Sequence, residues 1–216
     1  MHPDLLVKVL AAIEPEKILS IDRFQEACEI SSRSVAKSVL DYLGANNIGS
    51  VSKNLVKFSG TDRISAAVLA LQRGCDIEQV SRYISWKDFE KLASQLLVSS
   101  GFSTRTNVRF TKPRMEIDVV GTGSGGFTIA VDCKHWKRNN LSSISKFSQM
   151  QVARAERLIK YDESISQVVP VILTLHAESA RFVGGVPLVP IHKFRSFIIE
   201  VKGFLPEIYV ASTFHG

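Results

Sequence analysis

The sequence predicts an α/β fold: a mixed sheet flanked by helices, in the order helix, three strands, helix, strand (αβββαβ), preceded by a mainly α-helical part. Three observations predict it. Residues 103–136 hold runs rich in Val, Ile, Phe and Thr punctuated by glycines, which read as strands joined by turns. Residues 85–101 and 141–160 carry apolar residues at helical spacing on either side of them. Residues 2–58 read as three short helices and then an alternating hairpin. The 216 residues permit one large or two small domains, and 45% hydrophobic content supports real cores. The expected division is residues 1–60, a helical connector over 61–84, and residues 85–216.

In order, residues 2–13 place Leu5, Leu6, Val9, Leu10 and Ile13 on one helical stripe. Residues 21–29 form a second helix opened by Asp22, and Ser31 or Ser32 caps a third that runs to about Asn46. Its Val35, Val39, Tyr42 and Leu43 face inward, and Arg33 and Lys37 lie on the outer part. The stretch IGSVSKNLVKFS alternates and turns at Lys53–Asn54 as a hairpin. Residues 61–74 and 76–84 give two more helices, and no Gly/Ser- or Pro-rich linker follows. Ser85 then caps a helix with Asp88 three residues on, close to a capping box.

Residues 103–110 form the first strand of the second part. The stretch RMEIDVVGTGSGGFTIAVDCKHW, 114–136, follows as two strands about a glycine turn. Side chains alternate along a strand, so Glu116 and Asp118 share one face, and Asp132 and Lys134 share one on the next strand. Ile117, Val119, Val131 and Cys133 take the other, buried face. GTGSGG at 121–126 has the dinucleotide spacing, but FTIAV follows where that fingerprint needs a helix N-terminus, so it reads as a hairpin turn. Residues 141–160 form a long helix capped by Ser142 or Ser143, with Gln149 and Gln151 read by default as surface residues. A buried strand over 168–175 completes the core, and strand 186–191, helix 192–201 and strand 206–211 extend it.

Paired carboxylates beside an ammonium are costly in a sheet unless they perform chemistry. Asp118, Asp132 and Lys134 form such a set, with Glu90 on the preceding helix. Glu90 also reads as a first-turn carboxylate favoured by the helix dipole, and Lys134 as a plain counter-ion in a buried salt bridge. The formal net charge is +6. Residues 1–85 hold ten basic and ten acidic side chains, so the excess lies in residues 86–216, with seventeen against eleven. Arg105, Arg109, Lys112, Arg114, Lys137 and Arg138 crowd around the acidic pair, as a solvated basic face or as a track for a phosphate backbone.

The constellation resembles the PD-(D/E)xK nuclease superfamily, of restriction-endonuclease-like fold, and within it the Mrr-type and archaeal Holliday-junction-resolvase branches. The motif positions are Asp118, Asp132 and Lys134, with Ile117 where the motif name has Pro. Glu90 stands where many members add a helical Glu, and Gln149 or Gln151 near where some place a Gln, although the Tyr that sometimes follows is absent. The resemblance covers roughly residues 85–175. It implies phosphodiester hydrolysis of DNA with Mg²⁺, or Mn²⁺ in its place. Asp118, Asp132 and the Cys133 carbonyl would be metal ligands, Glu116 an auxiliary group and Lys134 the residue that orients water or stabilises developing charge. Three helices followed by a hairpin resemble a winged helix-turn-helix, in which Arg33 and Lys37 would contact nucleic acid. That part is neutral overall, so dimerisation or protein docking is an equal expectation.

The implied partner is DNA, duplex or branched, with RNA as a further substrate class, and a homodimer follows by analogy with enzymes that cut two strands. The competing class is a non-catalytic DNA-binding or regulatory protein on a nuclease-like scaffold. No P-loop, G-x-S-x-G or H-E-x-x-H motif points to a nucleotide cofactor or another hydrolase, and the five histidines form no catalytic set. No apolar run reaches the roughly 18 residues of a membrane helix. Cys28, Cys75 and Cys133 are too few and scattered for a disulfide framework or zinc site, which points to a reducing cytoplasm.

Overall fold

The computed structural model describes residues 2–14, 16–134, 141–175 and 182–213. His135, Lys137 and Arg138 lie outside the described residues. The chain divides into two compact units, residues 1–89 and 90–216.

The first unit runs α1 (Pro3–Ala12), β1 (Ile18–Ser20), α2 (Ile21–Ala27), α3 (Arg33–Ala45), β2 (Ser50–Ser52), β3 (Leu55–Lys57), α4 (Asp62–Gln72) and α5 (Ile77–Ser81). The three strands form an antiparallel sheet in the order β1-β3-β2. The β2–β3 turn falls at Lys53 and Asn54, both in the left-handed region that Asn tolerates. Leu6, Leu10, Phe24, Leu40, Leu43 and Phe58 are fully buried, and the Phe24 and Phe58 rings meet at a tilt with centroids 6.1 Å apart. The segment expected as a connector packs within this unit. Helix α4 lies on α1, and the buried Asp62 accepts the amides of Gly49 at 3.0 Å and Ser59 at 2.6 Å.

Helix α6 (Trp86–Ser99) begins with the capping box read from the sequence. The Asp88 amide donates to Ser85 Oγ at 3.2 Å and the Ser85 amide to Asp88 Oδ2 at 3.3 Å. Strands β4 (Ser103–Thr111), β5 (Arg114–Thr122) and β6 (Phe127–Lys134), helix α7 (Leu141–Tyr161) and strand β7 (Gln167–Thr174) follow. The chain continues with β8 (Phe182–Val183), β9 (Val186–Pro190), α8 (Ile191–Phe204) and β10 (Ala211–Ser212). The seven-stranded sheet has the order β4-β5-β6-β7-β9-β8, with β10 beside the start of β7. It is mixed: β4, β5 and β6 are antiparallel, and β7 runs parallel to both β6 and β9.

Strand β6 pairs on both edges, and every residue of it but Lys134 is buried. This accounts for its nearly unbroken apolar sequence. Helix α7 covers the sheet through Ala155, Leu158 and Ile159 against Ile117, Val120, Ala130 and Val168. Each such leucine or isoleucine stabilises by about 1.5–3 kcal/mol.

GTGSGG is the β5–β6 turn, with Gly125 and Gly126 at positive φ. A Cβ on Gly126 would stand 2.5 Å from the Ser164 carbonyl oxygen, so only glycine fits there. Two expectations change, and one strand is new. Helix α7 begins at Leu141, ahead of the serines expected to cap it. The strand expected over 206–211 shrinks to Ala211–Ser212, because only those residues pair, with Val168 and Gln167. Strand β1 has too few residues for its own periodicity and is defined by pairing with β3.

Candidate active site

The β5–β6 ladder runs from Thr122↔Thr128 to Val119↔Val131 and stops there. On the other edge of β5, pairing with β4 skips from Thr106↔Val119 to Val108↔Ile117, and Asn107 between them sits at φ +52°. Backbone pairing is therefore interrupted on both sides of Asp118. Its carboxylate fills one gap: the Cys133 amide donates to Asp118 Oδ2 at 2.7 Å.

Asp132 is fully buried on the neighbouring strand. Its Oδ1 accepts from Arg154 Nη1 at 2.7 Å, and Lys134 Nζ lies 2.8 Å from its Oδ2. The Lys134 contact is an ion pair off the hydrogen-bonding direction, which leaves Oδ2 without a well-aligned donor. Lys134 also sits over the Phe147 ring of α7, 4.9 Å from its centroid.

Burial pushes the Asp118 carboxyl up to about 6, and the facing Asp132 carboxylate adds to the rise. The Cys133 amide and Lys134 act in the opposite direction, and Glu90 raises it further. Glu90, in the second turn of α6, is buried and close enough for its charge to act on both Asp118 and the Cys133 thiol. The thiol is driven well above its ordinary range by burial and then by the surrounding carboxylates, so it is an inert filler of the core.

The structure thus brings together Glu90, Asp118, Asp132 and Lys134 and adds Arg154, which sequence reasoning missed. The available signal was spacing: Arg154 follows Gln151 by three residues, on the same side of a helix. Gln151 is not a surface residue. It is fully buried, and its Nε2 donates to the carbonyls of Ala130 at 2.8 Å and Val171 at 3.3 Å, bridging β6 and β7. Its Oε1 accepts from Arg154 Nη1 at 3.1 Å. Gln149 is exposed. Glu116 takes Arg109 across the β4–β5 pair at 3.2 Å instead of joining the carboxylates.

Arg105, Arg109, Lys112 and Arg114 are exposed along the β4–β5 hairpin, with Arg105 paired to Asp162 at 2.7 Å. In the first unit, Arg33 and Lys37 are exposed on α3, and Arg33 lies 3.3 Å from Asp22.

Carboxylate oxygens held close against their own repulsion are hard donors suited to a divalent cation such as Mg²⁺ or Mn²⁺. Burial first, and the facing Asp132 charge second, hold the Asp118 carboxyl high. By donor chemistry, Asp118, Asp132 and Glu90 fit such an ion. Among the described residues no three His, Cys, Asp or Glu side chains already converge on one point.

Residues 81–169 match the Mrr_cat family model, described as restriction endonuclease. An uncharacterised protein of Archaeoglobus fulgidus is 29% identical over 130 residues, covering 56% of this chain and 95% of the relative. No solved structure matches significantly. Among the described residues no helix is long and apolar enough to cross a membrane.

Proposed function

Starting from residues 81–169, whose match to a restriction-endonuclease family model supports the PD-(D/E)xK nuclease superfamily, we propose that the protein is a metal-dependent endonuclease that hydrolyses DNA phosphodiester bonds. The observation that carries this reading is the Asp118–Asp132 pair with Lys134 at 2.8 Å, in a domain that matches that family. In this reading Asp118, Asp132 and the Cys133 carbonyl, with Glu90 as a supplementary contact, would hold Mg²⁺ or Mn²⁺, which would supply an acidified water and neutralise phosphate charge. Lys134, kept in place by Asp132 and the Phe147 ring, orients the attacking water or balances charge on the pentavalent phosphorus. Arg105, Arg109, Lys112 and Arg114 offer the backbone a row of cations beside the site.

The first unit supports a winged-helix reading. Helix α3 would enter a groove and the β2–β3 hairpin, with Lys53 and Lys57 exposed, would touch phosphates. A homodimer in a reducing cytoplasm belongs to the same proposal.

The test is cleavage of labelled duplex, single-stranded and branched DNA with Mg²⁺, Mn²⁺ or EDTA, beside Asp132→Ala. Metal-dependent cutting that the variant loses is the expected result. Absence of cutting with salt-sensitive binding intact would move the protein to the class of non-catalytic DNA binders.

A further inference from the structure

Asp132 is already paired with two of this chain's own cations. Arg154 holds one carboxylate oxygen at 2.7 Å and Lys134 lies 2.8 Å from the other. The guanidinium is no wandering surface group. Its side chain is 13% exposed, and the same Nη1 donates to Gln151 Oε1 at 3.1 Å. Gln151 is in turn fixed by the carbonyls of Ala130 and Val171, so the sheet backbone sets the amide, the amide sets the arginine, and the arginine sets the aspartate.

Resting on the cation-site reading above, we propose that Arg154 is the counter-ion that holds Asp132 in the metal-free protein and competes with the divalent cation for that carboxylate.

Two effects follow from this arrangement. Three acids, Glu90, Asp118 and Asp132, face two bases, Lys134 and Arg154, which leaves a formal charge of −1 with all five ionised. Without Arg154 it is −2, and a cation is drawn more strongly. Arg154 also spares the buried Asp132 the cost of standing less than fully paired. Arg154 is thus a positioning residue whose charge weakens cation binding while it stabilises the empty site. A purely supporting role, orienting Asp132 for the metal, predicts the opposite sign: its removal would weaken cation affinity about 10–100-fold.

The sign is read by calorimetric titration of the full chain with Mn²⁺ alone, without DNA, for the wild type, Arg154→Gln and Arg154→Lys. The expected result is binding roughly tenfold tighter in Arg154→Gln and close to wild type in Arg154→Lys, which keeps the charge. In EDTA, Arg154→Gln melts below the wild type, and Mn²⁺ raises its Tm by more. Equal or weaker binding by Arg154→Gln overturns the proposal and leaves the cation-site reading standing. No binding by any of the three proteins removes both. Should Arg154→Gln fail to fold, the guanidinium NMR signals of Arg154 in the unaltered protein decide. Their hindered rotation is released as Mg²⁺ saturates the site, and signals unchanged by saturating Mg²⁺ overturn the proposal.

Discussion

Cys133 gives its backbone amide to the Asp118 carboxylate at 2.7 Å, across a point where the β5–β6 ladder has just stopped. A side chain does there what a strand carbonyl does elsewhere in the sheet. The bond holds Asp118 in place and favours its charged form, while burial and then the facing Asp132 make its ionisation expensive.

The folded-state value for Asp118, about 6, lies above the usual 3.8, so the folded state holds the proton more tightly than the unfolded one. Stability is therefore lost as pH rises from about 4 to about 6 and stays low above that, by up to about 3 kcal/mol. Asp118→Asn keeps an acceptor for the Cys133 amide and removes the charge. In EDTA at pH 8 it should unfold at higher denaturant than the wild type, and the gap should close towards pH 4. A gap independent of pH would show that Asp118 is not the group responsible.

Asp132→Asn should move stability the other way. It leaves Arg154 and Lys134 without their shared anion in a buried setting, at a cost of about 3–5 kcal/mol. Chemical denaturation of the two asparagine variants under one condition compares the signs directly. Two stabilised variants would contradict the pairing described for Asp132.

Lys134→Met preserves much of the packing on Phe147 and removes the ammonium. Cleavage should fall about 100- to 1000-fold, with DNA affinity nearly unchanged in filter binding or fluorescence anisotropy. A variant that cuts at the wild-type rate would assign Lys134 to charge balance alone.

Gln151→Ala frees two strand carbonyls and loosens Arg154. A loss of about 1–3 kcal/mol follows from buried groups left without partners. Thermal melts read it as a Tm several degrees lower. A Tm within one degree of wild type would mean that water replaces the amide.

Charge reversal at Lys37 and Lys53 tests the first unit. DNA affinity should drop, and the slope of log affinity against log salt should fall by about one per phosphate contact removed. An unchanged slope would assign α3 and the hairpin to protein contacts.

The parts of the fold legible from sequence were those with a long period or strong punctuation. The capping box at Ser85–Asp88, the strand runs about Gly125 and Gly126, and the α7 stripe each carry enough residues to be read alone. Strands β1, β8 and β10 span only two or three residues and exist through their partners, which no local pattern records. At the site, alternation put Asp132 and Lys134 on one face, and the structure joins them. Arg154 was hidden because its role depends on α7 crossing the sheet above Asp132. Gln151 was hidden for a related reason: a polar residue looks like surface until the strand carbonyls it serves are known.

Strand β6, paired with β7 along its whole length and with β5 as far as Val131, and buried but for its last residue, has a consequence for how the molecule wears out. Amides so enclosed exchange with deuterated solvent only when the surrounding sheet opens as a whole. Fraying at the termini or at the hairpin of the first unit leaves Asp132 and Lys134 where they are. Ageing or gentle heating should therefore break the Asp132–Lys134 pair in one step with loss of the sheet, with no earlier stage in which an intact fold carries a spoiled site.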